Sequence, residues 1–248
     1  MEINQKKRIF NMKKYIPFYD TDYLGRIKLS AVLKIFAQIA GDDYIDRGMT
    51  YEFLRENNRA FLVSRLALKF NRFPGNNETM SVDTWEHGKK GAMYLRGYEM
   101  FSEDGSIAIE GEAGWICVNL DTRKIERPSA FPWPVEQTEE KETSVSIGKI
   151  DCKDVELVSE YTIQNNDVDT NGHLYNATYG DIITNALPKE EFEENYSEFR
   201  LNYVNEAVLG EVLSIYKKYT ECGIILCGMV GERVCFEAEF KKEGINLL

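Results

Sequence analysis

The chain carries one pattern twice. Asp20, Asp22, Gly25 and Ile35 are matched by Asp167, Asp169, Gly172 and Ile182 at a constant spacing of 147 residues. Farther along, Leu68, Phe70, Met80, Ser81 and Val82 face Leu201, Tyr203, Leu213, Ser214 and Ile215 at a spacing of 133. Short matches arise by chance, but the order of elements repeats as well, which indicates an internal duplication. Each copy opens with a strand, at 7–19 and 154–163, and continues through a polar turn ending near Arg26 or His173 into a helix. The first helix carries Leu29, Val32, Leu33, Phe36, Ile39 and Ala40 on more than one face, so it should be buried on most sides; the second is predicted at 176–187. A run of strands follows in both copies, at 61–73, 79–86, 93–101 and 106–120, and again at 198–207, 210–220, 223–230 and 233–241. The first copy holds 14 residues more between helix and strands, roughly the 50–60 stretch, with a short helix predicted over 50–57. A surface loop tolerates an insertion of that size.

A unit in which an antiparallel sheet curls round one long apolar helix is a hotdog, and two in tandem make an α+β double hotdog. A length of 248 residues with 43% hydrophobic residues accommodates two such units. The expected division is a first unit over 1–128, a linker over 129–152 and a second unit over 153–248. The linker is marked by Pro128, Pro132 and Pro134 and by the polar run that starts at Glu136.

The net charge of −11 argues against broad nucleic-acid affinity, which needs a basic face. It is unevenly spread. Residues 1–128 hold 20 basic and 18 acidic side chains, and 129–248 hold 10 and 23. Five cysteines and two histidines form no zinc-type spacing, so no metal or cofactor is expected. Cys117, Cys227 and Cys235 read as small core residues, and His87 as a solvated hairpin residue. The charged start and the absence of a long apolar run lead to the expectation of a reduced, cytoplasmic protein with no stable membrane insertion.

One stretch concentrates chemistry. Asp169, Asn171 and His173 place an acid, an amide and an imidazole within five residues, just ahead of a helix. A helix N-terminus favours a developing oxyanion and disfavours imidazolium, so His173 is expected to stay neutral and able to relay a proton. Asp and Asn ahead of a helix are also ordinary turn and cap residues. Two further features favour chemistry. The first copy has Arg26 where the second has His173, and Glu206 stands, by the second spacing, where the first copy has Phe73. An acid at that strand position is either exposed or partly buried beside His173 with a raised pKa.

The stretch Asp169-Thr-Asn171-Gly-His173-Leu-Tyr-Asn176 resembles the D-x-N-x-H-x-x-N signature of the acyl-acyl-carrier-protein (acyl-ACP) thioesterases. Trp115-Ile-Cys-Val-Asn119-Leu-Asp-Thr122-Arg123, closing at Arg127-Pro128, resembles a second segment of that family. The resemblance covers most of both halves. It implies a double hotdog that hydrolyses fatty acyl-ACP in fatty acid biosynthesis, with acyl carrier protein as partner and homodimer formation left open. It places Asp169, Asn171, His173 and Glu206 in the catalytic network. Backbone N–H groups at the start of the second helix, near Asn176, are expected to hold the oxyanion. Where the family often reads R-R-E-C this chain has Val204-Asn205-Glu206-Ala207, so a cysteine nucleophile after the acid is excluded. By the same resemblance the first half lines the acyl tunnel, with Phe36, Ile39, Ala40, Phe61, Val63 and Trp115 as wall residues. Acyl carrier protein is acidic, so docking is expected on basic residues of the first half: Lys89, Lys90 or Arg123. The alternatives are an acyl-CoA thioesterase and a non-catalytic acyl-binding module.

Overall fold

The computed structural model describes residues 9–133 and 141–242. The first two residues of the expected strand at 7–19, the Pro134–Glu140 part of the linker (134–140) and the end of the second unit (243–248) lie outside the described residues.

The first half runs β1 (Phe10–Tyr15), α1 (Leu29–Asp46), α2 (Tyr51–Glu56), β2 (Arg59–Phe70), β3 (Thr79–Lys90), β4 (Met93–Phe101), β5 (Ile107–Asn119) and the short β6 (Ile125–Glu126). The second runs β7 (Glu156–Thr162), α3 (Thr178–Asn185), α4 (Lys189–Phe192), β8 (Glu198–Tyr203), β9 (Val212–Thr220), β10 (Gly223–Val230) and β11 (Arg233–Lys241). The strands form one antiparallel sheet in the order β1-β3-β4-β5-β2-β8-β11-β10-β9-β7, with β6 on β5. That order is a palindrome of equivalent strands, so the two halves are related by an approximate two-fold between β2 and β8. There Arg65 pairs with Asn202 and Lys69 with Glu198.

The duplication is visible in single hydrogen-bonded pairs. The bridge Thr21↔Ile27 recurs as Val168↔Leu174, and Arg26↔Gly75 recurs as His173↔Val208. These are the spacings read from the sequence, 147 on the turn and 133 on the strand side.

The apolar periodicity of α1 has the expected result: Val32, Leu33, Ile35, Phe36, Ile39 and Ala40 are all buried. One hydrophobic core runs through both halves. The helices approach so closely that a Cβ on Gly180 would lie 2.7 Å from the backbone N of Ser30. Ser30 Oγ donates to Asp181 Oδ1 across the same contact, at 2.5 Å. A second feature of α1 is polar. Asp43 and Arg47 on its last turns meet Glu86 of β3 and Arg96 of β4, each no more than 5% exposed. Arg47 Nη2 lies 2.6 Å from Asp43, Arg47 Nη1 2.9 Å from Glu86, and Arg96 2.9 Å from Asp43 and 3.1 Å from Glu86. Two guanidinium groups and two carboxylates thus neutralise one another inside the first half.

Several expectations need correction. The helix predicted at 176–187 is α3, ending at Asn185, and a separate turn, α4, starts after Pro188. Proline lacks the donor that would continue the helix. The strand predicted to reach residue 207 stops at Tyr203, so Glu206 is carried on the loop behind β8. His87 is not a solvated hairpin residue. It lies within β3, its side chain is 11% exposed, and Nε2 is 3.3 Å from Glu112 Oε1. The described end of the expected linker is packed rather than loose. Val145, Ile147 and Ile150 are buried, Ile147 N donates to Glu112 Oε2 at 2.9 Å, and Trp85 Nε1 donates to the carbonyl of Lys141 at 2.6 Å. Cys117, Cys227 and Cys235 are buried, as small core residues should be. Among the described residues no helix is long and apolar enough to cross a membrane.

Candidate active site

The turn that carries the chemistry is built the same way in both halves. In the second, Asp169 Oδ1 accepts from the N–H groups of Asn171 (2.8 Å) and His173 (3.2 Å), while Asp169 N donates to the carbonyl of His173 at 2.8 Å. In the first, Asp22 Oδ1 accepts from Leu24 N (2.8 Å) and Arg26 N (2.9 Å), and Asp22 N donates to Arg26 O at 2.8 Å. Gly25 and Gly172 hold the left-handed corner at φ +74° and +79°. The aspartate is therefore a turn-closing residue common to both copies. Its second oxygen differs. Asp169 Oδ2 accepts from Asn171 Nδ2 at 3.3 Å, whereas Asp22 Oδ2 pairs with Arg26 Nε at 3.2 Å.

What the copies do not share lies at the tip and on the loop behind the strand. His173 is half-buried, and its Nε2 lies 3.4 Å from Glu206 Oε2. The acid that the second spacing sets opposite Phe73 thus lies beside His173. The Glu206 side chain is 57% exposed, so of the two readings left open, exposed or partly buried, the structure has the exposed carboxylate, carried on a loop yet beside His173. Cys235 Sγ, buried beneath, donates to the Glu206 carbonyl at 3.7 Å and ties that loop to β11. At the matching place in the first half Arg26 lies 5.2 Å from the ring centroid of Phe73, a cation over an aromatic face with no acid–base pair.

Asn171 is exposed, and Asn176 sits between the turn and α3. Its carbonyl accepts from Tyr203 Oη at 3.0 Å, a phenol whose pKa burial pushes far above the ordinary value. Thr178 N and Gly180 N bond back to Tyr175 O and Ala177 O, both at 2.9 Å, while the N–H groups of Asn176 and Ala177 bond to no described residue. His173 itself lies five residues ahead of the first residue of α3, outside the turn in which a helix dipole acts. Among the described residues no three His, Cys, Asp or Glu side chains converge to hold a metal ion.

The six expected wall residues divide into two groups. Phe36, Ile39, Ala40 and Val63 are buried in the main core, with Phe36 stacked on Tyr98 at 4.5 Å. Phe61 and Trp115 are half-buried and pack against a second cluster of Met49, Tyr94, Cys117 and Phe131. Continuing the β2–β8 register beyond Arg65↔Asn202 carries the Glu206 loop toward the Phe61 end of β2. Lys90, Met93 and Asn119 are the strand ends on that same side. Lys89, Lys90 and Arg123 are all exposed. The Trp115–Arg123 segment forms the end of β5 and the turn into β6, where Asn119 Oδ1 accepts from Thr122 N and Oγ1 at 2.9 and 3.0 Å.

The sequence reading missed a cavity of about 630 Å³ at the opposite end of the sheet, bordered by Arg26, Phe70, Phe73, Leu187, Phe192 and Phe240 among others. None of the expected wall residues borders it.

Two family models account for nearly the whole chain: the acyl-ACP thioesterase N-terminal domain over residues 7–129 and the acyl-ACP thioesterase C-terminal domain over 150–241. The chain belongs to the acyl-ACP thioesterase family. Among curated proteins it is 28% identical over 142 residues to acyl-[acyl-carrier-protein] hydrolase FATB3, chloroplastic, of Cuphea viscosissima, covering 54% of this chain and 34% of that one. It is 26% identical over 213 residues to the chloroplastic palmitoyl-acyl carrier protein thioesterase of Arabidopsis thaliana, covering 80% and 50%. The chain thus spans half or less of the length of these relatives. Solved structures of the family share its fold. An acyl-ACP thioesterase from Bacteroides thetaiotaomicron superposes with a TM-score of 0.81 at 23% identity, over 95% of this chain and 98% of that one. The 12:0-ACP thioesterase from Umbellularia californica gives 0.77 at 18% identity, over 94% and 96%. The double hotdog expected from the repeat is therefore the family's fold.

Proposed function

We propose that the protein hydrolyses the thioester of a fatty acyl chain on acyl carrier protein, releasing free fatty acid and holo-carrier and so ending elongation. The observation that carries this reading is the His173–Glu206 pair at 3.4 Å, present in the second copy only, where the first has Arg26 and Phe73. Family membership supports the substrate class.

In the proposed reaction a water oxygen attacks the thioester carbonyl carbon while Glu206 takes one of its protons. The oxyanion is held by backbone N–H groups near Asn176, which have no other described partner. Collapse of the tetrahedral intermediate breaks the C–S bond. His173 passes the proton from Glu206 to the departing pantetheine thiolate. Asn171, hinged to Asp169, orients the water or the carbonyl, and Asp169 acts through the turn that presents His173. The first half then serves as the acyl-holding unit, with Phe61 and Trp115 nearest the catalytic end, and its exposed Lys89, Lys90 and Arg123 receive the acidic carrier at that end of the sheet.

A thiol-release assay with acyl-ACP and acyl-CoA side by side tests the proposal. It predicts turnover of both with higher kcat/KM for acyl-ACP. Preference for acyl-CoA would favour the CoA thioesterase, and binding without thiol release would favour an acyl-binding module.

A further inference from the structure

The 630 Å³ cavity lies where the duplication places the counterpart of the proposed catalytic groove. Arg26 takes the place of His173 and Phe73 that of Glu206, while Leu187 and Tyr196, by the same spacings, stand where the first half has Ala40 and Val63. All four side chains are buried, Ala40 and Val63 at 6% and 9% exposure and Leu187 and Tyr196 at 8% each, but only the second pair borders the cavity.

Its walls mix an apolar stretch with polar side chains, and Arg26, Lys28 and Lys189 supply its cations against Asp22, Asp181 and Glu194. Phe70 and Phe73 stack at 4.7 Å, and Leu187, Phe192 and Phe240 complete the lining. The Arg26 guanidinium is held between the Phe73 and Phe192 rings, 5.2 Å from each centroid, with Nε on Asp22 and Nη2 donating to the Phe192 carbonyl at 2.9 Å. Its Nη1 has no acceptor among the described residues. Lys28 Nζ donates only to a carbonyl, that of Tyr19 at 2.8 Å, so no described acid offsets its charge. Two acids on the wall are paired with cations, Asp22 with Arg26 and Glu194 with Lys242 at 3.1 Å; Asp181 accepts from the Ser30 hydroxyl, which does not offset its charge. Tyr23 on the wall is 64% exposed, and Phe18 and Tyr19, just before it in the chain, are 78% and 73% exposed.

We propose that this cavity is a second amphiphile site that takes a free long-chain carboxylate, with its head on Arg26 and Lys28 and its chain along Phe70, Phe73, Leu187 and Phe240. The volume is in the range of small-molecule pockets. With arginine and phenylalanine in place of the imidazole and the acid, the site holds such a ligand without cleaving a bond. The proposed hydrolysis enters only in that a fatty carboxylate is its product.

The test uses the full chain and a diazirine-bearing fatty acid, with crosslinked peptides mapped by mass spectrometry, and a dansyl fatty acid titration for affinity. Label is expected on peptides containing 21–29 and 184–196. Arg26→Gln should weaken dansyl fatty acid binding about tenfold, the loss of one charge-assisted hydrogen bond. An alkylamine of equal length should compete poorly. Leu187→Trp, which fills the cavity without touching a charge, should remove the label even if Arg26→Gln fails to fold. Label confined to peptides around His173, full labelling of Leu187→Trp, or equal competition by the amine would overturn the proposal. Thioester hydrolysis is measured in parallel. Absent label with intact hydrolysis counts against this site alone, and intact label without hydrolysis counts against the proposed function alone.

Discussion

The paired turns allow stability and catalysis to be separated within one molecule. Asp22→Ala and Asp169→Ala remove the same two backbone hydrogen bonds from equivalent turns: 2.8 and 2.9 Å in the first half, 2.8 and 3.2 Å in the second. Bonds to a charged acceptor at a partly exposed site are worth about 1–1.5 kcal/mol each, so each variant should lose about 2–3 kcal/mol. For a chain of this size that is a fall in Tm of about 4–12 °C. Asp22→Ala also releases Arg26 from its 3.2 Å pair, a contact only 17% and 9% exposed, so its loss of stability should be the larger of the two. Activity should not follow stability. Asp169→Ala loosens the turn that sets His173 against Glu206, and kcat should fall about a hundredfold or more, since a misplaced acid–base group costs that much. Asp22→Ala should leave kcat within a few-fold. Scanning calorimetry with thiol-release kinetics on both variants reads the two effects independently. An activity loss in Asp22→Ala as large as in Asp169→Ala, or an Asp169→Ala chain as stable as the parent, would refute the idea that one shared turn serves two different tips.

Glu86→Gln leaves Arg47 and Arg96 facing a single carboxylate in the first-half core, and chemical denaturation should register a loss of about 3–5 kcal/mol. The double change Glu86→Leu with Arg47→Met, which removes one charge of each sign, should cost less than the single one. Burial would raise the Glu112 pKa, but His87, the Ile147 N–H and Thr143 together hold it below the usual carboxylate range. A lowered folded pKa gives stability that is fully present above the unfolded carboxylate pKa and is lost as pH falls through the folded value. The stability advantage of the parent over Glu112→Gln should accordingly shrink as pH drops below about 4, the unfolded value, in urea melts across pH. Charge reversal at Lys89, Lys90 and Arg123 should raise KM for the carrier-linked substrate and flatten its salt dependence while leaving kcat unchanged. An unchanged KM would reduce the charge asymmetry to a matter of solubility.

The architecture was legible because a duplication is a long-range statement written in local residues. Two spacings, 147 and 133, matched the copies and reappeared as backbone bridges, and the second of them alone assigned Glu206 to the place of Phe73. Burial was less legible. The apolar neighbours Tyr203 and Ala207 made Glu206 look like a strand residue, but β8 ends at Tyr203 and the carboxylate is carried into solvent. His87 read as a turn residue because glycine and lysine follow it, yet β3 continues to Lys90 and brings it to Glu112. The Asp43–Arg47 pair has the i, i+4 spacing of a helical ion pair. Its burial depends on Glu86 and Arg96, which only the sheet brings there. The break in the second helix was signalled by Pro188 itself. Nothing local in sequence marks a cavity between halves, which is why the space beside Arg26 emerges only from the fold.

The central claim is that the His173–Glu206 pair performs the hydrolysis. Single-turnover thiol release from acyl-ACP by His173→Ala and Glu206→Ala, with folding checked by circular dichroism and Tm, addresses it directly. The account predicts that each variant stays folded, since both side chains are exposed or half-buried and neither packs the core, while the rate falls about 10²–10⁴-fold. Rates close to the parent's in both folded variants would contradict it.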